Sequence, residues 1–375
     1  MKEAILHTKQ LTVGYNKKPL IHGIDISVCP GQILTLIGPN GAGKSTILKS
    51  ITRQLEPVAG TVWIGDKPLH QIKEQELART VSIMMTGWVE PELMRCEEVV
   101  ESGRFPYTGR LGILSDYDHK QVAEAMELVH VTELADRNFN CISDGQRQRV
   151  MLARAICQEP DILVLDEPTS FLDIRHKLEL LSILKDLVRQ KNLAVILSLH
   201  ELDLAQKISD FVVCIKDDHI DRYGPPEDIF TGTYIRDLYR VNRGSYNEFY
   251  GSLELDAPQG EPKVFVIGGG GTGIPIYRRL QRRGIPFVAG ILHTNDLDYP
   301  IAQALAAQII EEQAFEPISE ATFHRAEESI RQCSTVICCL KHTGTMNRRN
   351  GQLMELAKQR GCLLSAAEFC EQDCI

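Results

Sequence analysis

The stretch Gly38-Pro39-Asn40-Gly41-Ala42-Gly43-Lys44-Ser45-Thr46 decides the fold of this chain. It follows an apolar run over 33–37, precedes a helix-like segment and fills the pattern G-x-x-x-x-G-K-[ST]. Glycines let successive backbone N–H groups converge on phosphate oxygens, Lys44 adds a charge for the β- and γ-phosphates, and Ser45 offers a hydroxyl to Mg²⁺. A helix beginning near Lys44 directs its positive dipole end to the same point. The stretch therefore predicts a nucleotide-binding α/β domain, with an ordinary glycine turn as the alternative.

Two adjacent acids end a second apolar strand over 162–166, well downstream of the loop. Such a strand would deliver Asp166 beside the loop to hold Mg²⁺, and Glu167 one residue later to polarise an attacking water. The alternative is that both acids are solvated turn residues. Their position downstream of a phosphate loop in one α/β domain favours the catalytic interpretation.

Further polar residues occur in a fixed order around these acids. Ser143 and Gly145 come at the start of an amphipathic helix, where backbone N–H groups can face a phosphate. The segment 170–173 closely follows the acids, and His200 follows a further apolar strand over 193–197. A lone histidine after a strand is usually structural, but this one stands where a γ-phosphate sensor belongs.

Taken together, these motifs resemble those of the ATP-binding subunits of ABC transporters over about residues 1–255. The resemblance implies a P-loop ABC ATPase domain with a helical subdomain, and ATP and magnesium as its nucleotide and metal. It implies Glu167 as general base, with His200 and Lys44 as further catalytic residues, and Ser45 and Asp166 as magnesium ligands. It implies ATP contacts from Tyr15, Gly38, Asn40, Gly41, Gly43, Lys44, Ser45, Thr46, Ser143, Gly145 and Asp173.

The same resemblance implies several partners. Two copies would meet head to tail, each ATP lying between one phosphate loop and the Ser143 and Gly145 of the other copy. The stretches 102–109 and 167–176 are similar to those of importers for iron chelates, haem and corrinoids. We therefore expect a membrane permease and an extracytoplasmic substrate-binding protein as partners, and a cytoplasmic location, peripheral on the inner face of the membrane. Another class of ABC transporter is the alternative.

Two positions depart from the family pattern. Asp144 replaces a glycine of the signature Leu-Ser-Gly-Gly-Gln and adds a negative charge near where the nucleotide of the second copy would lie. Thr86 replaces a glutamine that normally reaches Mg²⁺ and links the site to the membrane subunits. Threonine keeps an oxygen but has a shorter reach, so we expect neighbours over 87–91 to preserve the coupling.

Composition excludes several classes of protein. An apolar content of 43% and a charged content of 24% are typical of a soluble globular chain, and no apolar run is long enough to cross a bilayer. The residues from Lys263 onward carry 12 basic and 12 acidic side chains, so the net charge of −9 belongs entirely to the residues before them. This sign argues against nucleic acid as a partner. Six of the 11 cysteines fall at or after Cys333, where buried thiols are the common explanation and a metal site or redox switch is the alternative.

A polar segment with two prolines, 256–262, predicts a linker between domains 1–255 and 263–375. The second domain opens with a strand followed by Gly268, Gly270 and Gly273 in the pattern G-x-G-x-x-G, which predicts a small Rossmann-like parallel sheet and a possible ligand loop. A dinucleotide is only weakly indicated, because no acid ends the second strand and Asp296 and Asp298 come later.

The role of this second domain stays open between three hypotheses: a ligand-sensing regulatory module, an enzyme acting on the imported compound or on a nucleotide-linked metabolite, and a structural or dimerising domain. Its other candidate ligand residues are His293, Asp296, Lys341 and His342, at predicted strand ends. For the whole chain, the alternative to a membrane-coupled ATPase is a bifunctional oxidoreductase that uses its first domain for regulation.

Overall fold

The computed structural model describes residues 3–85, 93–109 and 112–371. The chain forms two compact units, Met1–Phe230 and Thr231–Ile375. Within the described residues, no helix is both long enough and apolar enough to cross a membrane.

The first unit alternates strands and helices along the chain. Its described strands are β1 (Leu6–Tyr15), β2 (Lys18–Ile24), β3 (Ser27–Val28), β4 (Ile33–Ile37), β5 (Ala59–Ile64), β6 (Lys67–Pro68), β7 (Val81–Met84), β8 (Ile162–Asp166), β9 (Ala194–Ser198), β10 (Phe211–Lys216) and β11 (His219–Gly224). Its described helices are α1 (Lys44–Ile51), α2 (Glu74–Thr80), α3 (Cys96–Glu101), α4 (Asp116–Leu128), α5 (Asp144–Cys157), α6 (Ile174–Lys191), α7 (Leu202–Ile208) and α8 (Pro226–Ile229).

The strands form one sheet in the order β6-β5-β1-β2-β11-β10-β4-β9-β8-β7, with β3 paired to β1. Strands β10, β4, β9, β8 and β7 run parallel to their neighbours in this series. Every residue of β4, β8 and β9 is buried, as expected of parallel strands covered on both faces. The carboxyl ends of these three strands therefore meet at one edge of the sheet, which carries the phosphate loop, the acid pair and His200.

Helices α3, α4 and α5 pack on one another and form the expected helical subdomain. Arg104 connects parts of this subdomain, and its side chain is 1% exposed. The guanidinium donates from Nε to Asp118 Oδ1 at 2.8 Å and from Nη1 to Cys157 O at 2.7 Å and Glu159 Oε2 at 2.8 Å. It also lies 4.0 Å from the ring centre of Tyr107. One buried cation thus ties α4 to the end of α5, and the stretch 102–109, to which Arg104 belongs, has a packing role.

The second unit contains a short hairpin and a parallel sheet. Its described strands are β12 (Ser245–Asn247), β13 (Ser252–Glu254), β14 (Val264–Ile267), β15 (Phe287–His293), β16 (Gln308–Glu312), β17 (Thr335–Cys338) and β18 (Leu363–Ser365). Its described helices are α9 (Gly232–Leu238), α10 (Ile274–Arg282), α11 (Tyr299–Leu305), α12 (Glu320–Gln332), α13 (Arg348–Gln359) and α14 (Ala366–Glu371).

The sheet of the second unit has the order β16-β15-β14-β17-β18, and all its pairs are parallel. Alternate residues of β14 enter different cores. Val264 and Val266 belong to one core with Leu280 of α10, whereas Phe265 and Ile267 belong to the other, with helices α12 and α13. The sheet is therefore covered on both faces, which explains its continuous apolar strands.

The contacts place residues 231–255 with the second unit, whereas the sequence analysis grouped them with the first domain. The hairpin β12–β13 packs on α11. Arg278 of α10 donates to Glu254 Oε1 at 2.5 Å, and Tyr250 Oη donates to Leu297 O at 2.8 Å. These contacts join distant parts of the chain, which explains why composition alone placed the domain boundary later in the sequence.

The Arg104–Asp118 pair predicts acid sensitivity of the helical subdomain. Burial raises the pKa of Asp118, but hydrogen bonds from the Ser115 hydroxyl and amide and from Arg104 outweigh it and lower this pKa from 3.8 to about 2. The ionised, bonded carboxylate therefore stabilises the fold above about pH 4, and this contribution is lost as the pH falls towards about 2. We expect Asp118→Asn to cost about 2 kcal/mol at neutral pH and almost nothing at about pH 2.

Denaturant unfolding of the full chain at several pH values measures this difference. Asp116→Asn, which changes an exposed carboxylate on the same helical turn, is the matched control and should keep the acid dependence of the wild type. An Asp118→Asn variant that is equally destabilised at every pH would contradict the assignment.

Candidate nucleotide site

The phosphate loop joins β4 to α1, and its glycines adopt conformations that other residues rarely take. Gly38, Gly41 and Gly43 have φ values of 149°, 78° and 94°. A Cβ at Gly38 would lie 2.4 Å from the carbonyl oxygen of Ile215, so a side chain there would collide with backbone. Gly43 precedes the first residue of α1. The loop therefore has glycines at positions whose backbone conformation or close packing disfavours a side chain, and it leads directly into the N-terminus of α1.

Lys44 is buried within this loop and is 5% exposed. Its Nζ donates to the carbonyl oxygens of Gly38 at 2.8 Å and Pro39 at 3.2 Å. Burial lowers the pKa of Lys44, and the negative charges of Glu167 and Asp166 oppose that effect. The structure thus brings the predicted lysine and both predicted acids into one electrostatic environment.

Tyr15, at the end of β1, lies beside the first turn of α1. Thr46 Oγ1 donates to Tyr15 Oη at 3.4 Å, so two of the predicted ATP-contacting residues are neighbours. The tyrosine is 49% exposed, which leaves part of its ring accessible for stacking. Ser45 lies between Lys44 and Thr46 in the same turn and is a partly buried residue.

The acid pair is held by a serine on the neighbouring strand. Asp166 and Ser198 are partners in the register of β8 and β9. Ser198 Oγ donates to Asp166 Oδ1 at 2.7 Å and accepts the backbone N–H of Glu167 at 2.9 Å. One buried hydroxyl therefore fixes the carboxylate of the first acid and the backbone of the second.

Glu167 and His200 meet at this edge, as their positions after β8 and β9 predicted. Glu167 has a φ of 50°, and His200 Nε2 donates to its Oε1 at 2.5 Å. Ser170 Oγ donates to the other carboxylate oxygen, Oε2, at 3.3 Å. The candidate base and the candidate γ-phosphate sensor are thus in direct contact, with both carboxylate oxygens engaged.

Gln148 is a further residue of the site that the sequence analysis missed. It is buried on α5, and its Nε2 donates to the carbonyl oxygens of Glu167 at 3.2 Å and Pro168 at 2.6 Å. It therefore ties α5 to the backbone that carries the candidate base. A glutamine among the buried, mostly apolar residues of α5 is the signal that could have pointed to it. Ser198 had a similar signal, as a hydroxyl ending an apolar strand.

The start of α5 carries the residues predicted to face the nucleotide of a second copy. Ser143 caps the helix by accepting the N–H of Gln146 at 3.3 Å. A Cβ on Gly145 would lie 3.4 Å from Leu172 Cδ2, so this helix end packs against the segment 170–173. Asp144 is exposed, and its Oδ1 lies 3.3 Å from Nη1 of the positively charged Arg147.

Of two further positions singled out in the sequence, the structure describes Asp173 but not Thr86. Asp173 caps α6 by accepting the N–H of His176 at 2.9 Å, and this hydrogen bond holds the pKa of Asp173 below its usual value. Thr86 and the stretch 87–91 lie outside the described residues. The expectation about coupling through them stays a prediction.

The donor set at Asp166 and Ser45 fits magnesium. No group of three or more His, Cys, Asp or Glu side chains placed to hold a metal occurs in the described part of the chain. Magnesium is commonly held by one or two protein oxygens together with waters and phosphate oxygens. The buried Asp166 carboxylate and the Ser45 hydroxyl would supply two such protein oxygens. The same observation gives no support to a metal site among the described C-terminal cysteines, which do not include Cys374.

In the second unit, the loop Gly268–Gly273 bends around two acids of the chain itself. Asp298 accepts the N–H groups of Gly269 at 2.6 Å and Gly273 at 2.9 Å. Asp296 accepts the N–H of Gly270 with both oxygens, at 2.9 and 3.1 Å. Burial raises the pKa of Asp298, and the amides of Gly273 and Gly269 oppose this effect.

The remaining candidates of the second unit follow strand ends. His293 ends β15, and its Nε2 donates to the Glu316 carbonyl oxygen at 2.8 Å. Lys341 and His342 follow β17 and are exposed. A role for these three residues in ligand binding stays a prediction.

Comparisons with known proteins agree with the geometry of the first unit. The ABC transporter family matches residues 21–170, and the MJ0874 family matches residues 287–375. An uncharacterized ABC transporter ATP-binding protein of Methanocaldococcus jannaschii is 41% identical over 289 residues, which cover 77% of this chain and all of that protein.

Two further relatives are named as importer subunits. The petrobactin import ATP-binding protein of Bacillus anthracis is 34% identical over 63% of this chain and 86% of its own length. The cobalamin import ATP-binding protein of Halobacterium salinarum is 30% identical over 81% of this chain and 77% of its own length.

Among solved structures, an inward-facing putative metal-chelate type ABC transporter matches with a TM-score of 0.56 and 24% identity, over 63% of this chain and 89% of that one. This likeness concerns the fold of the first unit. The Methanocaldococcus jannaschii protein, 41% identical over 77% of this chain, shows that the chain belongs to the family of ABC transporter ATP-binding proteins and is an ATPase of the ABC type.

Proposed function

We propose that the chain is the ATP-hydrolysing subunit of an importer for an iron-chelate, haem or corrinoid type compound, acting through a separate membrane permease. The observation that carries this proposal is the set of relatives named for petrobactin and cobalamin import, which align over most of their own lengths. A place on the inner face of the cell membrane and an extracytoplasmic substrate-binding protein follow from the same proposal.

In the proposed reaction, Glu167 accepts a proton from the water that attacks the γ-phosphate. His200, 2.5 Å from the Glu167 carboxylate, orients that carboxylate and reaches the γ-phosphate. Lys44 supplies a desolvated positive charge to the phosphates, which is worth more in a buried site than in water. Ser45 and Asp166 would hold Mg²⁺, which neutralises phosphate charge when bound.

We further propose that two copies complete each site head to tail. Ser143 and Gly145 lie at the N-terminus of α5, a helix of 14 residues whose dipole favours an anion there. The Asp144 carboxylate beside them faces Arg147. This pairing offsets the charge that a phosphate of the second copy would otherwise meet, which supports closure despite the departure from the family pattern.

For the second unit we propose a Rossmann-like domain with a ligand-sensing, regulatory role. With its own five strands numbered in chain order, the parallel sheet has the order 3-2-1-4-5, the arrangement found in Rossmann folds. The alternative, a dinucleotide-dependent enzyme, rests on the glycine pattern of Gly268, Gly270 and Gly273.

Glu167→Gln tests the assigned base. The amide keeps the size of the side chain but cannot accept the proton, so we expect ATP turnover to fall by roughly 10²–10⁴-fold with little change in ATP affinity. Steady-state phosphate release and binding of a fluorescent ATP analogue measure the two quantities. Glu179→Gln, an acid paired with Arg175 on α6, is the matched control. Undiminished turnover in Glu167→Gln would remove Glu167 from this role.

Ser198→Ala tests the hydroxyl that holds the acid pair. Its removal leaves Asp166 Oδ1 and the Glu167 N–H without these hydrogen bonds, so we expect kcat to fall about tenfold and the Mg²⁺ concentration for half-maximal activity to rise. Ser198→Thr should restore most of the activity. Ser209→Ala, which removes a hydroxyl bonded to Thr35 and Ala205, should leave the magnesium dependence unchanged. A Ser198→Ala enzyme that is less stable but has normal kcat and magnesium dependence would show a structural role only.

Purification of the tagged full-length chain from its native membranes tests the importer assignment. We expect a permease of many transmembrane helices to copurify, and ATPase activity of the complex to rise when a binding protein loaded with a ferric chelate, haem or a corrinoid is added. Copurification with a transporter that uses no external binding protein would contradict it.

A further inference from the structure

The glycine-rich loop of the second unit matches a dinucleotide-binding pattern, yet its amide donors already have partners. In proteins that bind a dinucleotide, such a loop and the following helix N-terminus donate to the pyrophosphate. Here Gly269, Gly273 and Ile274 donate to the Asp298 carboxylate at 2.6, 2.9 and 3.2 Å. The side chain of Asp298 thus takes the position, at the start of α10, where a phosphate would be bound.

A second carboxylate completes this arrangement. Gly270 donates to both oxygens of Asp296, and the Asp298 N–H donates to Asp296 Oδ1 at 2.8 Å. The two acids are therefore fixed to each other as well as to the loop. Four amides of the turn therefore donate to side chains that follow β15: those of Gly269, Gly270, Gly273 and Ile274.

The glycines themselves are explained by internal packing. Asp298 and Tyr277 are both 0% exposed, and Tyr277 stacks on Phe287. A Cβ on Gly268 would lie 2.6 Å from Tyr277 Oη and 2.9 Å from Asp298 Oδ2. A Cβ on Gly273 would lie 2.5 Å from Tyr277 Oη and 2.9 Å from the same carboxylate oxygen. The first and last glycines of the pattern make room for this tyrosine and this aspartate.

The ribose contact of a dinucleotide also has no counterpart. A conserved acid about 20 residues after the loop normally binds the ribose hydroxyls at the end of the second strand. In this chain β15 ends at His293, and its Nε2 donates to the carbonyl oxygen of Glu316.

We propose that Asp298 and Asp296 act as a built-in anion in the place of a dinucleotide pyrophosphate, and that the second unit binds no nicotinamide or flavin dinucleotide. Two carboxylates at this position would repel a pyrophosphate, and displacing Asp298 would break three hydrogen bonds to buried or partly buried amides. The G-x-G-x-x-G pattern is then a structural turn. A regulatory ligand of the second unit would have to bind elsewhere.

Titration and hydrogen exchange on the full-length protein test this proposal. With Mg-ADP saturating the first unit, NADH, NADPH and FAD are titrated while protein-to-cofactor energy transfer and heat are recorded. We expect no saturable binding below about 1 mM for any of the three. We also expect the Gly269, Gly270, Gly273 and Ile274 amides to be protected from exchange in the wild type.

Asp298→Asn should increase the rate of amide hydrogen exchange in the peptide spanning 264–277 about tenfold or more. This factor corresponds to the loss of hydrogen bonds to a charged group. Asp256→Asn is the matched control, because Asp256 also accepts a glycine N–H, that of Gly244 at 2.6 Å, away from the loop. If Asp298→Asn increases hydrogen exchange throughout the second unit, Asp296→Asn provides the same test through the exchange of the Gly270 amide alone. Saturable NADH, NADPH or FAD binding to the wild type, or unprotected loop amides, would overturn the proposal.

Discussion

Backbone N–H groups that converge at a glycine-rich turn need an acceptor, and this requirement governs both units of the chain. In the first unit, the turn leads into α1 and leaves the amides of Gly41, Gly43, Lys44 and Ser45 without a carboxylate partner among the described residues. In the second unit, the corresponding turn is bonded to Asp296 and Asp298. Where a ligand supplies the negative charge, the turn is a nucleotide site. Where the chain itself supplies it, the turn is structural.

The remainder of the nucleotide site depends on a parallel sheet that brings the ends of β4, β8 and β9 to one edge. In the register of the two buried strands β8 and β9, Asp166 is paired with Ser198. The Ser198 hydroxyl then sets the carboxylate of Asp166 and the backbone of Glu167 together. Gln148 holds the same backbone from α5, so the candidate base is linked to both the sheet and the helical subdomain.

Much of this site could be predicted from the sequence because its residues come directly after apolar strands. Glu167 and His200 have this property, Lys44 follows β4 after the phosphate loop, and parallel strand ends lie at a common edge. Ser198 and Gln148 could not be assigned roles, because their partners are 31 or 32 and 19 or 20 positions away along the chain. The grouping of residues 231–255 with the second unit likewise depends on long-range contacts such as Arg278 with Glu254, which leave no local signal.

The second glycine loop shows why a short pattern cannot identify a ligand by itself. A glycine is required wherever a side chain would collide with a close neighbour, and the neighbour can be a phosphate or a residue of the same protein. At Gly268 and Gly273 the neighbours are Tyr277 and Asp298, the second of which lies 25 or more positions further along the chain. From the sequence, the acids after β15 are interpreted as coming too late to be ribose ligands, with Asp296 also a candidate ligand residue at a strand end. The hydrogen bonds from the loop to these acids lead to a different interpretation, in which the two carboxylates replace the ligand that the pattern would otherwise predict.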